Sequence, residues 1–263
     1  MIPYIGGKSY LSKWIIENFP SDYKERVYVE PFGGGGWVLF KKEQSYLEIY
    51  NDLNSNLVNL FKVIRDNYDE FQHRAEWSLH SREMYNEARE RLKNDKFLSD
   101  IEKGMHYAIQ QIQSFSGTGG WGYVVTAPKM IGGKWKPFLN RLELINARLK
   151  SIQLENLDFQ SIIEKYDQEN ALFYLDPPYV DVEHYYKTNG VDFGRADHHR
   201  LAELLKNIKG KFVLSYYEHP LVRELYPGFR VIMKETSKHS AGVTRQNPKT
   251  EKPRAKELLI MNY

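Results

Sequence analysis

The run Leu172-Phe173-Tyr174-Leu175-Asp176-Pro177-Pro178-Tyr179 sets a continuous apolar stretch directly before a carboxylate, two prolines and an aromatic ring. The apolar part suits a buried strand. The prolines remove two backbone donors and fix two φ angles, so the chain leaves the strand presenting acceptors in rigid directions. In open α/β sheets the carboxyl ends of the strands are where ligands gather.

Working outward, further strand candidates are Val27 to Glu30, Tyr46 to Tyr50, Ser151 to Leu154, Phe212 to Tyr216, Phe229 to Met233 and Glu257 to Met261, beside Ala171 to Asp176 itself. Between Ala171–Asp176 and Phe212–Tyr216, "DHHRLAELLKNIKG" has helical apolar spacing, a cap in Asp197 and a terminator in Gly210. "WVLF" after the first strand reads as the start of a helix. Strands alternating with helices imply a mostly parallel sheet with helices on both faces. From Leu53 to about Arg148 the pattern is mainly helical, as in Leu57, Leu60, Phe61 and Ile64, interrupted by a glycine- and aromatic-rich piece that suits a hairpin.

Composition is that of an ordinary globular chain, 41% hydrophobic and 27% charged, with no apolar run near the roughly 20 residues that would span a membrane. The absence of cysteine excludes a disulfide framework and a thiolate metal site. With no secretory pattern at the amino terminus, a cytoplasmic location is expected. The net charge of +3 is too small to identify a polyanionic partner, but Lys234 to Lys256 concentrates Lys238, Arg245 and five other cations against Glu235 and Glu251. That run is either a solvated loop or a phosphate-contacting arm.

"EPFGGGG" follows the first strand, and Asp52 closes the second about 20 residues on, the spacing at which an acid accepts from ribose hydroxyls. "GGKS" at Gly6 to Ser9 lacks the first glycine and the preceding strand of a phosphate loop, and the consecutive glycines of "GGGG" fit a dinucleotide fingerprint poorly. S-adenosylmethionine, with a ribose and no phosphates, is the cofactor that remains. An adenine amine then explains the proline motif. The Asp176 carboxylate and the Pro177 carbonyl each accept one amino hydrogen, and Tyr179 stacks on the base. Holding both hydrogens lets the nitrogen pyramidalise toward the sulfonium methyl, and positioning does much of the catalysis. At an ordinary pKa of about 3.9, Asp176 is a weak base, so proton loss follows methylation.

In their order along the chain, "PYIGGKSYL", "YVEPFGGGG", "EIYNDLNSNLVNLF" and "YLDPPY" resemble the motifs of the Dam-like DNA N6-adenine methyltransferases of bacteria and phages. The resemblance implies a Rossmann-like methyltransferase core with an inserted target-recognition domain that acts on double-stranded DNA. Tyr4 and Lys8 contact the cofactor or frame the site, Glu30, Phe32, Gly33, Gly34 and Gly35 line its pocket, Asp52 binds ribose, and Asp158 sits near the cofactor adenine. Asp176 is shared between pocket and target amine, and the catalytic motif is Asp176, Pro177, Pro178 and Tyr179. Roughly 140 residues separate the glycine motif from "DPPY", more than two βα units need. The core is therefore expected at 1–54 and 149–263 and the insertion at 55–148. The insertion's DNA-facing piece is expected to hold Trp121, Tyr123, Lys129, Lys134, Trp135, Lys136 and Arg141, with Trp121 and Trp135 equally suited to packing. "TSKHSAGVTR" resembles the class's late DNA-contacting loop. GATC-specific members carry an asparagine-containing hairpin where this chain has "GWGYVVTAPKMIGGKWKP", so no recognition sequence is carried over.

His198 and His199 read as surface or capping residues, and no cluster suggests a metal. Tyr185 and Tyr186 either wall the flipped base or pack a core, and Tyr216 and Tyr217 read as core. A target inside a duplex requires base flipping. Rival readings are an RNA exocyclic-amine methyltransferase and a noncatalytic DNA-binding relative. No obligate protein partner is evident and a monomer is expected.

Overall fold

A computed structural model describes residues 4, 6–114, 120–122, 135–183, 192–237 and 254–263. Its strands are β1 (Val27–Glu30), β2 (Leu47–Asn51), β3 (Ile152–Glu155), β4 (Ala171–Leu175), β5 (Lys211–Tyr217), β6 (Arg230–Ser237) and β7 (Arg254–Met261). They form one seven-stranded sheet in the order β3-β2-β1-β4-β5-β7-β6. β1 to β5 run parallel to one another, and β7 runs antiparallel between β5 and β6.

Each interior strand is apolar on both sides because both faces are covered. Tyr28, Tyr50, Leu172, Tyr174 and Val213 enter one apolar cluster, with α1 (Ser12–Glu17), α2 (Ser55–Asp66), α5 (Asp100–Gln113) and α7 (Leu142–Leu149). Val29, Ile49, Phe173, Leu175 and Leu214 enter the other, with α8 (Phe159–Tyr166), α9 (Arg195–Lys206) and α10 (Pro220–Leu225). Between β2 and β3 the chain also forms α3 (Tyr68–Glu76), α4 (Arg82–Asn94) and α6 (Trp135–Leu139). Sequence caps start several of these helices: Asn54 accepts from the Asn56 and Leu57 N–H groups at α2, and Ser99 and Glu102 form a reciprocal capping box at α5.

From β1 the chain winds outward through β2 and β3, and from β4 it winds the other way. The crevice at the carboxyl ends of β1 and β4 is therefore the switch point of the sheet. Glu30 ends one of these strands and Asp176 follows the other.

Two local expectations are corrected. After the glycines there is no α-helix: residues 37–41 make one turn, closed by Phe40 N–H to Gly36 O and Lys42 N–H to Val38 O. Lys42 then turns inward to a buried ion pair with Glu48, which Arg148 also holds. A buried charge keeps its partner or costs several kcal/mol, and that anchor ends the turn. The second correction concerns α9, which begins at Arg195, with Asp197 accepting from the Gly194 N–H at 2.9 Å from inside its first turn. His198 is buried, not a surface residue, with ring nitrogens 2.7 Å from Tyr216 Oη and 3.0 Å from Glu183 Oε1.

Candidate active site

The glycine loop is tied to the end of β2. Gly33 N–H donates to Asn51 O and Gly34 N–H to Asp52 Oδ2, each at 2.8 Å, while Tyr50 Oη donates to Gly34 O at 2.6 Å. Gly34 and Gly36 have φ of 49° and 66°, conformations that side chains disfavour. At Gly33 the constraint is space, since a Cβ would fall 2.5 Å from Tyr50 Cδ2 and closer still to Cε2. The Asn51 amide donates to Pro31 O and Leu157 O at 2.8 and 2.9 Å, locking the ends of β1, β2 and β3 together.

Beside the loop lies a cleft of about 830 Å³, partly open to solvent, lined by Tyr4, Lys8, Glu30, Phe32, Gly33, Gly34, Gly35, Asp52, Asp158, Asp176 and Pro178 among others. All nine residues expected to hold the cofactor besides Asp176 thus line one cavity with it. Burial pushes the acids upward. Asp52 rises to about 6, held down by the N–H groups of Asn54 and Gly34. Glu30 rises to about 8, opposed by the Tyr28 hydroxyl that donates to it at 2.6 Å. Asp176 is also raised by burial, with the Lys8 ammonium opposing, which corrects the expectation of an ordinary carboxylate. Lys8 Nζ lies 2.7 Å from Asp176 Oδ1 and 4.6 Å from the centre of the Tyr179 ring.

Asp158 caps α8 through Gln160 N–H at 2.9 Å, and both its oxygens face Arg200 at 3.0 Å. Arg200 covers Phe159, whose ring is 5.3 Å from Phe32, and Phe193 closes this aromatic wall 5.8 Å from Phe32. Tyr179 is buried, edge-on to Tyr217 at 4.7 Å, and its hydroxyl donates to Glu257. The sequence marks Glu257 only as the start of a strand, and gives no sign of the parts that Tyr50, Asn51, Arg200 and Phe193 take here.

Of the residues expected at DNA, the structure describes Trp121, Trp135, Lys136 and Arg141. Trp121 stacks on His80 with centroids 5.3 Å apart and lies under Arg82, an anchoring arrangement. Trp135 is buried and donates to Ala75 O at 3.0 Å, so it packs the helical core instead of facing DNA. Lys136 is exposed on α6, and Arg141 immediately precedes α7. Tyr123, Lys129, Lys134, Lys238 and Arg245 lie outside the described residues, as do Tyr185 and Tyr186. Among the described residues there is no group of three or more acids or histidines that could hold a metal ion, and no helix is long and apolar enough to cross a membrane.

A seven-stranded sheet of this order, with a glycine loop and an acidic proline motif meeting at its switch point, defines a Rossmann-like methyltransferase. The chain belongs to the D12 class of N6 adenine-specific DNA methyltransferases, whose family model matches residues 4–239. It is 28% identical to the type II methyltransferase M1.LlaDCHI of Lactococcus lactis subsp. cremoris, over 99% of this chain and 94% of that one. It is 27% identical to the type II methyltransferase M.MjaIII of Methanocaldococcus jannaschii, over 100% and 98%. A DNA adenine methylase of Haemophilus influenzae is 24% identical over 99% and 92%. A solved precorrin 8w decarboxylase from Methanobacterium thermoautotrophicum, 10% identical over 99% and 93% with a TM-score of 0.43, is too distant to bear on the account. The family agrees with the resemblance drawn from the motifs. The protein is an enzyme of DNA adenine methylation, and its class uses S-adenosylmethionine in general as methyl donor.

Proposed function

We propose that the cleft binds S-adenosylmethionine and that Asp176, Pro177, Pro178 and Tyr179 direct methyl transfer to the N6 amine of an adenine flipped out of duplex DNA. The observation that carries this reading is the meeting of the glycine loop with Asp176 and Lys8 at the switch point.

The donor set fits the cofactor. A glycine cradle that a Cβ at Gly33 would fill suits close backbone approach. The wall of Phe32, Phe159 and Phe193 suits an adenine ring, and the buried Glu30 and part-buried Asp176 suit a ligand with positive charge. Asp52 spends two acceptor sites on backbone N–H groups and keeps two for ribose hydroxyls. When bound, S-adenosylmethionine supplies an electrophilic methyl group on a sulfonium.

The chain's own residues do the rest. Asp176 and the Pro177 carbonyl accept the two amino hydrogens and hold the amine lone pair toward the methyl donor. Lys8 keeps Asp176 oriented. As the methyl–sulfur bond breaks and its electron pair returns to sulfur, the methylated nitrogen would be left positive, and its proton would pass to Asp176, whose burial makes it a stronger base than a free carboxylate. Flipping costs a few kcal/mol, which contacts to the DNA must offset.

We assign target recognition to residues 55–148 and backbone contact to Lys238 and Arg245, in a monomer acting in the cytoplasm of a bacterium or a phage host. The test is methyl transfer from labelled S-adenosylmethionine to unmethylated duplex DNA beside structured RNA, with nucleoside analysis. N6-methyladenine in DNA supports the reading, and label confined to RNA sinks it.

A further inference from the structure

The mechanism above uses Asp176 and Tyr179 but leaves a second buried acid beside them without a role. Glu257, on β7, is 1% exposed and accepts a hydrogen bond from the Tyr179 hydroxyl. Its Oε1 also lies 3.9 Å from Lys8 Nζ, the ammonium that holds Asp176 at 2.7 Å. Two carboxylates thus share one cation, with Tyr179 between them.

A phenol has a single proton to donate. Tyr179 can give it to either acid, and the Asp176 pKa is drawn down by the Tyr179 hydroxyl as well as by Lys8. An Asp176 oxygen that accepts from Tyr179 is lost as an acceptor for the target amine. Resting on the proposed methyl transfer, we infer that Glu257 is a positioning residue: its carboxylate accepts the Tyr179 hydrogen bond, fixes the ring, and keeps an Asp176 oxygen open for the adenine amine. Tyr217, the register partner of Glu257 on β5, stands edge-on to the Tyr179 ring at 4.7 Å and closes it from another side. The ring is therefore held by a hydrogen bond at its hydroxyl, a cation over its face and an aromatic edge.

The test compares single-turnover methylation of duplex DNA, at saturating cofactor and DNA, in four proteins: wild type, Glu257→Leu, Tyr179→Phe and the double variant. Cofactor affinity by calorimetry checks that each is folded. Glu257→Leu should slow the reaction on the order of 100-fold while cofactor affinity holds within about threefold, because Tyr179 turns its proton onto Asp176. In the Tyr179→Phe background there is no proton to redirect, so the same substitution should cost only about two- to threefold more. Glu257→Gln, which keeps the shape and an acceptor, should retain most of the rate whether or not Glu257→Leu folds. Multiplicative losses in the double variant, or a loss on the order of 100-fold in Glu257→Gln, would overturn the inference. A wild-type protein that leaves DNA adenine unlabelled fails the functional reading itself, before any variant is compared.

Discussion

Adding one methyl group to Gly33 should disable the cofactor loop. In Gly33→Ala the new Cβ meets the edge of Tyr50, 2.5 Å from Cδ2 and closer to Cε2. Neither side can yield cheaply. Tyr50 is fully buried, sits edge-on to Phe61 at 5.0 Å and donates its hydroxyl proton to Gly34 O at 2.6 Å. The loop is pinned in turn by Gly33 N–H on Asn51 O and Gly34 N–H on Asp52. Overpacking of this kind costs about 1–3 kcal/mol, and breaking the Tyr50 bond adds about 1 kcal/mol. If the ring stays and the loop shifts, about 3 kcal/mol falls on cofactor binding, a loss on the order of 100-fold in Kd. If the loop stays and the ring shifts, the melting temperature falls by about 5–15 °C. Calorimetric titration with S-adenosylmethionine and thermal unfolding read the two outcomes. Tyr50→Leu in the Gly33→Ala background removes the ring edge and should recover part of whichever was lost. Wild-type affinity together with a wild-type melting temperature in Gly33→Ala would refute the packing argument.

Burial raises Glu30 to about 8, so the folded state favours its protonated form; the stability this contributes is full below about 4.5 and is lost as pH rises through about 8. Glu30→Gln keeps the neutral shape, and without cofactor it should melt several degrees above wild type at about pH 9 but alongside it at about pH 5; parallel curves across that range would contradict this. Arg200→Ala should lower cofactor affinity by about tenfold, because Asp158 loses both of its guanidinium contacts, yet move the melting temperature by only about 2 °C since the pair is part-exposed. Unaltered affinity would separate Asp158 from the cofactor. Trp135→Phe deletes the bond to Ala75 O and should cost about 1–3 kcal/mol of stability with DNA affinity preserved; a selective loss of DNA binding would return Trp135 to the interface.

The parts of the site legible in the sequence are those whose chemistry is local. Asp176, its prolines and the glycine loop each terminate a strand, and the alternation of strands and helices puts those termini on one edge of the sheet. Asp52 is legible for the same reason, although its first task, holding the Gly34 and Asn54 N–H groups, is not. What escapes is set by partners far along the chain. Glu257 meets Tyr179 from 78 residues away, and nothing in "AKELLIM" marks its acid as inward-facing. His198 resembles a helix-start residue until Tyr216 on β5 supplies its partner. The missing helix after the glycines has a similar cause, since the apolar "WVLF" is helical in pattern but is cut short by the buried pair of Lys42 with Glu48. Arg200 and Phe193 come to the cofactor cleft on α9 and its approach, a placement that only the fold decides.

The central claim is that Asp176 directs the target amine. The measurement that tests it most directly is single-turnover methylation of duplex DNA by Asp176→Ala, with cofactor and DNA affinities measured on the same preparation. Lys8 remains near Glu257 in this variant, so the site is not left with an isolated charge. The account predicts a rate lowered by at least about 100-fold with both affinities within about tenfold of wild type. A rate within about threefold of wild type would contradict it, and would move the amine-binding role away from the proline motif.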